Sequence, residues 1–269
     1  MHERHQNRSR YFEEQKITTE RYVIPYIESA VSITEDTEVL EIGCGEGGNL
    51  VSFVERKCKR IVGIDLAENK IENGRKYFAS IEGGERVALI YEDIYDTKGI
   101  GKFDIIIMRD VIEHIHDQER FMKFVKRFLK PGGAFYLGFP PWYNPFGGHQ
   151  QVLKHKFLSK APYYHILPRS LYARVLKWGK ESDAVIEAML EVHDTQISIE
   201  RFERIIRREN YQTLKRTFYL FNPNYEIKFG LKPRKVLQPF ASVSFFRNFY
   251  TTAMYYVITI DETEAQKYS

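Results

Sequence analysis

A chain of 269 residues with a formal net charge of +4 has room for one large α/β domain with a cap, and two full domains would be tight. Only Cys44 and Cys58 are present, which argues against a disulfide framework. No apolar run reaches membrane-spanning length, and the opening Met-His-Glu-Arg-His has no secretory apolar core, so a cytoplasmic protein without a transmembrane segment is expected. The charge is unevenly spread: between Gln150 and Lys180 there are seven Lys or Arg and no acid, a stretch that suits an anionic acceptor, a nucleic acid, an acidic membrane surface or simply a solvated face.

In chain order, a helix is predicted around Glu20 to Ser29. It is followed by strands near Glu38–Ile42, Arg60–Asp65, Val87–Glu92, Phe103–Arg109 and Ala134–Phe139. Helices are predicted near Asn49–Arg56, Lys70–Ala79 and Gln118–Leu129. This alternation is that of βαβ units and a mostly parallel sheet. Pro131-Gly132-Gly133 is expected to end the third helix and reverse the chain into the next strand. Further on, Ser198 is the predicted cap of a helix from Ile199 to Glu209. Gln212–Leu220 and Ala253–Ile260 are candidates for an antiparallel pair. The long aromatic stretch 140–196, and 221–248 with its Asn-Pro-Asn and Lys-Pro-Arg turns, exceed ordinary connections and are expected to form a cap.

The first strand breaks into Gly43-Cys44-Gly45-Glu46-Gly47-Gly48, glycines that let a backbone turn sharply against a ligand, with Cys44 as a small residue within the turn. Gly43, Gly45 and Gly48 also satisfy the dinucleotide pattern G-x-G-x-x-G, with Asp65 about where its ribose-binding acid stands. The glycines alone therefore leave a nicotinamide dinucleotide and other nucleosides open.

Four further stretches follow in order: Val62-Gly-Ile-Asp-Leu-Ala67, Tyr91-Glu-Asp-Ile94, Phe103-Asp-Ile-Ile-Ile-Met-Arg-Asp-Val-Ile-Glu-His-Ile115 and Leu129-Lys-Pro-Gly-Gly-Ala-Phe-Tyr-Leu137. With Glu41 two residues before the first glycine, the series resembles the class I S-adenosylmethionine-dependent methyltransferases across roughly residues 35 to 140. Its nearest likeness is to the ubiquinone and menaquinone biosynthesis group, which Ile-Ser-Ile-Glu-Arg-Phe202 also resembles. The resemblance implies a Rossmann-like, seven-stranded, mostly parallel sheet with helices on both faces and a terminal antiparallel hairpin. It further implies an N-terminal flap (1–34), a cofactor-binding core (35–140) and acceptor caps (141–196 and 221–248). S-adenosylmethionine is the implied cofactor. Asp65 matches the ribose acceptor and Glu41 the acid that holds the methionine ammonium. Asp93 matches the acid at the adenine amino group, a role Glu92 can exchange with it, while Leu66 and Ile94 would sandwich the ring. The backbone at Arg109 matches the usual acceptor for the methionine tail. Arg109 itself departs from the usual small or apolar residue, so its side chain has a carboxylate or the acceptor within its options.

On the acceptor side, Asp110, Glu113 and His114 share one helical face, and similar acid-x-x-Glu-His runs hold a divalent metal in some relatives. A structural role for Glu113 and His114 is the reading adopted, with no metal assigned. Asp110 and His149 are the candidate catalytic groups, His149 because it follows the aromatic Phe139-Pro-Pro-Trp-Tyr-Asn-Pro-Phe-Gly-Gly exit and titrates near neutrality. Tyr163, Tyr164, His165, Tyr172 and Trp178 interleave with the basic residues. They suit a lid over a lipid-like or phosphorylated acceptor, bases of a single strand, or the packing of a helical cap. The expected reaction is methyl transfer to a small molecule, at oxygen. The alternatives are an RNA or lipid-linked acceptor, a cofactor-binding regulator without catalysis and, remotely, a nicotinamide-dependent dehydrogenase.

Overall fold

The computed structural model describes residues 8–268. Five strands, β1 (Glu38–Ile42), β2 (Arg60–Asp65), β3 (Val87–Tyr91), β4 (Phe103–Arg109) and β5 (Leu129–Phe139), form a parallel sheet. To these the chain adds β6 (Gln212–Phe221), a two-residue β7 (Arg234–Lys235) and β8 (Ala253–Thr259) in the order β3-β2-β1-β4-β5-β8-β6-β7. β8 runs antiparallel to both neighbours, so it is wedged between β5 and β6. The expected seven strands are all present, and β7 makes an eighth at the edge.

Helices cover both faces. They are α1 (Arg8–Thr18), α2 (Ile24–Glu28), α3 (Val51–Glu55), α4 (Glu68–Phe78), α5 (Gln118–Val125), α6 (Arg169–Trp178), α7 (Asp183–Thr195), α8 (Ile199–Arg208), α9 (Asn224–Phe229), α10 (Gln238–Ala241), α11 (Arg247–Tyr250) and α12 (Glu262–Gln266). The central strand β4 explains why two faces are needed. Its Ile106 and Met108 join one apolar cluster with Phe121 and Phe202, while Ile105 and Ile107 join the other with Ile27 and Phe53. Side chains alternate along a strand, so a continuous apolar run must be buried on both sides. Ser198 caps α8 as predicted, its Oγ accepting from the Arg201 amide at 3.1 Å, and Ile199, Phe202, Ile205 and Ile206 form the buried stripe. Lys126, 1% exposed, reaches Glu264 at 2.7 Å and Glu209 at 3.1 Å, pinning α12 and the end of α8 to the sheet's lower rim.

Two sequence expectations need correction. Helix α5 ends at Val125, not Leu129; a 3₁₀ turn (Lys126–Phe128) follows, and β5 begins at Leu129 opposite Phe103. Pro131-Gly132-Gly133 therefore lies inside the strand, where the register shifts between Phe103 and Ile105. Residues 130–133 stand opposite Asp104 alone, an irregularity in the ladder with Gly132 at φ +71°. The N-terminal helical region is also longer than Glu20–Ser29: α1 runs into a π-helical turn (Thr19–Val23) and then α2.

Within the stretch 140–196, the segment around α6 and α7 carries a small core of its own, with Leu153, Leu158, Tyr172, Leu176, Ile186 and Met189. Trp142 is buried between the rings of His165 and His193 at 4.7 and 5.3 Å. His165 is fully buried. Its Nε2 lies 2.8 Å from the Trp142 carbonyl, and burial brings its pKa down to about 4. These aromatics and histidines are packing groups.

Candidate functional site

The ends of β1, β2, β3 and β4 open on a cavity of about 560 Å³, a size suited to a small ligand. The glycine turn forms its floor. The amides of Gly43 and Cys44 both donate to the Ile64 carbonyl, at 2.8 and 3.1 Å, which ties the turn to β2. Gly43 has φ +73°, and a Cβ there would lie 2.4 Å from Val111 Cγ2, so both conformation and space require glycine. At Gly48 a Cβ would meet the Phe12 carbonyl at 2.8 Å. The last glycine of the pattern lets α1 lie directly on the turn.

Asp65 ends β2. Its Oδ2 accepts from the Gly45 amide and its Oδ1 from the Ala67 amide, both at 2.8 Å. The carboxylate thus shapes the turn and starts α4, and Asp65 is one of the residues lining the cavity. Leu66, 69% exposed, and the buried Ile94 both line the cavity, an apolar pair beside the Asp65 end. Glu92 and Asp93 line it as well, and Asp93 Oδ1 accepts from the Tyr95 amide at 2.9 Å.

Beneath this lies a buried polar network. Glu41 is 1% exposed; its Oε1 accepts from Asn49 Nδ2 at 2.6 Å, and its Oε2 has no partner. Burial raises its pKa to about 8, against the opposing pull of Asn49 and Arg109. The Asn49 carbonyl oxygen accepts from Arg109 Nη1 at 3.0 Å and from Thr19 Oγ1 at 2.7 Å. Arg109 also donates from Nη1 to Thr19 at 3.2 Å and from Nη2 to Asn224. Its side chain, one of those lining the cavity, therefore clamps the N-terminal arm and α9 to the end of β4. Arg21, at 3.6 Å, and Tyr22 reach Glu226, closing the same joint. Tyr11, Gln15 and Thr18 from the arm, with Asn224, Ile227 and Lys228, form the cavity's outer wall.

Asp110 follows β4 in a left-handed conformation, φ +53°, its amide donating to the Gly138 carbonyl at 2.8 Å. It lines the cavity together with His114, whose pKa burial lowers, leaving a neutral imidazole at neutral pH. Behind them lies Glu113, 3% exposed, its carboxyl oxygens without a hydrogen-bonding side chain; burial and then Asp110 push its carboxyl well above the usual range. His149 is not among the residues lining the cavity. Its Nε2 is 3.7 Å from Glu113 Oε1 and its ring 5.2 Å from that of His114. Ligand atoms of Glu113, His114 and His149 all fall within 4.8 Å of one another, a donor set of one carboxylate and two imidazoles able to take a divalent ion. No residue of 139–152 lines the cavity.

Asn49, Thr19, Asn224 and Tyr11 are the site residues that sequence reasoning missed. Asn49 was visible as the residue after the last glycine, but an Asn there reads as the start of a helix. Thr19 and Asn224 carry no local signal, because only the tertiary fold brings them to Arg109.

A parallel sheet with one antiparallel strand wedged beside β5, and with Glu41, Asp65 and Asp93 at or beyond the ends of β1, β2 and β3, makes this an α/β protein with the Rossmann-like fold of the class I methyltransferases. The comparisons with known proteins agree: the family described as "Methyltransferase domain" matches residues 40–135. The match is confined to the cofactor-binding half of the chain, and it is to a methyltransferase domain. The chain is 27% identical over 112 residues to a ubiquinone biosynthesis O-methyltransferase of Rickettsia canadensis, covering 42% of this chain and 46% of that protein. It is 28% identical over 111 residues to a sterol 4-C-methyltransferase of Caenorhabditis elegans, covering 41% and 33%. The chain thus spans less than half the length of these curated relatives. Among solved structures, a putative sarcosine dimethylglycine methyltransferase from Galdieria sulphuraria superposes with a TM-score of 0.61 at 13% identity, covering 91% of this chain and 86% of that one. This last likeness is one of fold.

Proposed function

We propose that the protein transfers a methyl group from S-adenosylmethionine to oxygen on a small, largely apolar acceptor. The carrying observation is that Asp110 and His114 open on the same cavity as Asp65 and Asp93, so a donor and an acceptor share one enclosure. The cofactor fits the residues present. Asp65 is assigned to the ribose hydroxyls, Asp93 to the adenine amino group and Leu66 with Ile94 to its ring. The partnerless Oε2 of Glu41 is assigned to the ammonium, directly or through water. When bound, the sulfonium supplies a methyl group already activated for in-line displacement.

The chain's own contribution is to hold the acceptor in line and to take its proton. Orientation of this kind accounts for as much as roughly 7 to 11 kcal/mol of a barrier. A hydroxyl needs a base, and Asp110 is the carboxylate at the cavity wall; His149 is the second candidate, reached through His114. The relatives are named for ubiquinone biosynthesis and for sterols, and an apolar acceptor is in keeping with Ile115, Phe121 and Ile227 in the cavity wall.

Release of S-adenosylhomocysteine on incubation with S-adenosylmethionine and a panel of phenols, quinols and hydroxylated lipids tests this reading. Acceptor-dependent release is expected, lowered about a hundredfold by Asp110→Asn, the loss of a general base, with cofactor affinity kept. Asn tolerates the left-handed backbone there. Turnover untouched by D110N and by His149→Ala would remove both bases and point to an amine or carbon acceptor.

A further inference from the structure

From Ile227 to Ile260 the chain contains no acid, and much of this stretch is turned outward. Leu237 is 70% exposed, Phe246 60% and Phe240 57%, with Leu231, Val243 and Phe245 also open. Lys232, Arg234 and Lys235 are exposed among them. Isolated exposed apolar side chains are ordinary, whereas a run of large ones on one short segment marks a contact surface.

This surface joins the basic stretch of the other cap segment. The Tyr163 hydroxyl donates to the Phe249 carbonyl at 2.9 Å. Tyr143 stacks on Phe249 at 5.5 Å and meets the edge of Phe245 at 5.4 Å. Beyond Tyr163 lie Lys156 and Lys160, Phe157 at 69% exposure and Trp178 at 67%, all outward. Tyr143 and Tyr163 thus join the two acid-free segments at Phe245 and Phe249, where the Glu200 carboxylate accepts from the Phe245 amide; outward from this joint, segment 231–246 presents an apolar surface with Lys232, Arg234 and Lys235 beside it.

We propose that this face docks peripherally on an anionic lipid surface. Apolar side chains that enter the headgroup boundary, aromatics at its level and a Lys/Arg fringe against acidic headgroups are what interfacial binding requires. Aliphatic Leu231, Leu237 and Val243 offer no flat face to a nucleobase, which makes a nucleic acid the poorer partner. A cationic fringe repels a second copy of itself. No helix among the described residues is long and apolar enough to cross a membrane, so the contact is one of adsorption. α9, which lines the cofactor cavity, leads directly into this segment. Docking therefore brings the cavity's outer wall close to the lipid, and it stands or falls separately from the proposed reaction.

Co-sedimentation of the full chain with phosphatidylcholine vesicles, and with vesicles of phosphatidylcholine and phosphatidylglycerol, tests the proposal. Binding to the second kind, weakened by salt, is expected. Lys232→Gln/Arg234→Gln/Lys235→Gln is expected to lower it about a hundredfold, and Leu237→Ser/Phe240→Ser/Phe246→Ser by at least about tenfold. Both variants replace exposed groups, so their unfolding temperature and its rise with S-adenosylhomocysteine should match the parent; if the apolar variant fails that control, the charge variant carries the test. Failure to sediment with anionic vesicles at low salt overturns the proposal, as does binding unchanged in the charge variant. Binding of a single-stranded oligonucleotide without vesicle binding would reassign the face to nucleic acid. A dimer lost in the apolar variant, again without vesicle binding, would reassign it to self-association.

Discussion

Residues 38–115 and residues 221–250 meet at one cavity but are organised in opposite ways. In the first, strand ends of an apolar parallel sheet present carboxylates whose oxygens are largely spoken for by backbone amides, as at Asp65 and Asp93. In the second, short helices and turns with little core of their own carry apolar and basic side chains outward. The contrast teaches that the polar groups of the cavity are fixed by the sheet's own hydrogen bonds, while the cap adds a wall that turns its other side outward.

The sharpest way to break this contrast is to attack the sheet side. Asp65→Ala removes charge-assisted acceptors and should weaken S-adenosylhomocysteine by about tenfold to a hundredfold, read by calorimetry. An unchanged affinity would mean that Asp65 only shapes the turn.

Glu41 sharpens it through pH. Its carboxyl, normally near 4.5, is raised to about 8 by burial. The folded chain therefore holds a proton that the unfolded chain releases, and this group's contribution to stability falls as pH rises from about 4.5 to about 8. Binding of an ammonium favours the ionised form, so cofactor affinity should rise over the same interval, by up to about tenfold per unit. Glu41→Gln should flatten both slopes and leave a more stable apo protein at high pH. Parallel slopes in parent and variant would assign the titration elsewhere.

A smaller effect is expected at the joint between the two regions. Arg109→Lys keeps the charge but loses the fork that spans Asn49, Thr19 and Asn224. Affinity should drop several-fold, by about 1 kcal/mol for a lost hydrogen bond, and the arm's amides should exchange faster. Undiminished protection of residues 8–23 would show that packing on Gly48 alone holds the arm. Smallest of all, Leu237→Ser should change S-adenosylhomocysteine affinity by less than about twofold, because surface changes away from a site cost little. A large loss would show that the cap's outer face is coupled to the cofactor.

The same contrast explains what could be read from sequence. β1, β2 and β4 fall on the predicted residues because buried parallel strands are continuous apolar runs bounded by glycine or charge. Ser198 could be read as a cap because capping is local. Pro131-Gly132-Gly133 reads locally as a turn into a strand at Ala134, where regular pairing does resume; only the pairing of Leu129 with Phe103 shows that the strand begins before it. The two-residue β7 has no period to detect. α6 and α7 are legible only as a helical cap without boundaries, since the small core they pack on lies within the cap itself. The places of Glu41, Asp65 and Asp93 at the strand ends are legible through the ordered motifs; the Asn49–Arg109–Asn224 clamp is not, because its members lie in three distant segments.

The central claim is that the open end of the sheet takes S-adenosylmethionine rather than a dinucleotide. Thermal unfolding with S-adenosylhomocysteine and with NADH in parallel tests it most directly. A ligand at about a hundred times its dissociation constant adds roughly 2.7 kcal/mol, a rise of several degrees for a chain of this size. The account predicts that rise with S-adenosylhomocysteine alone, cut to about half or less at the same concentration in Asp65→Ala. A rise with NADH and none with S-adenosylhomocysteine would contradict it.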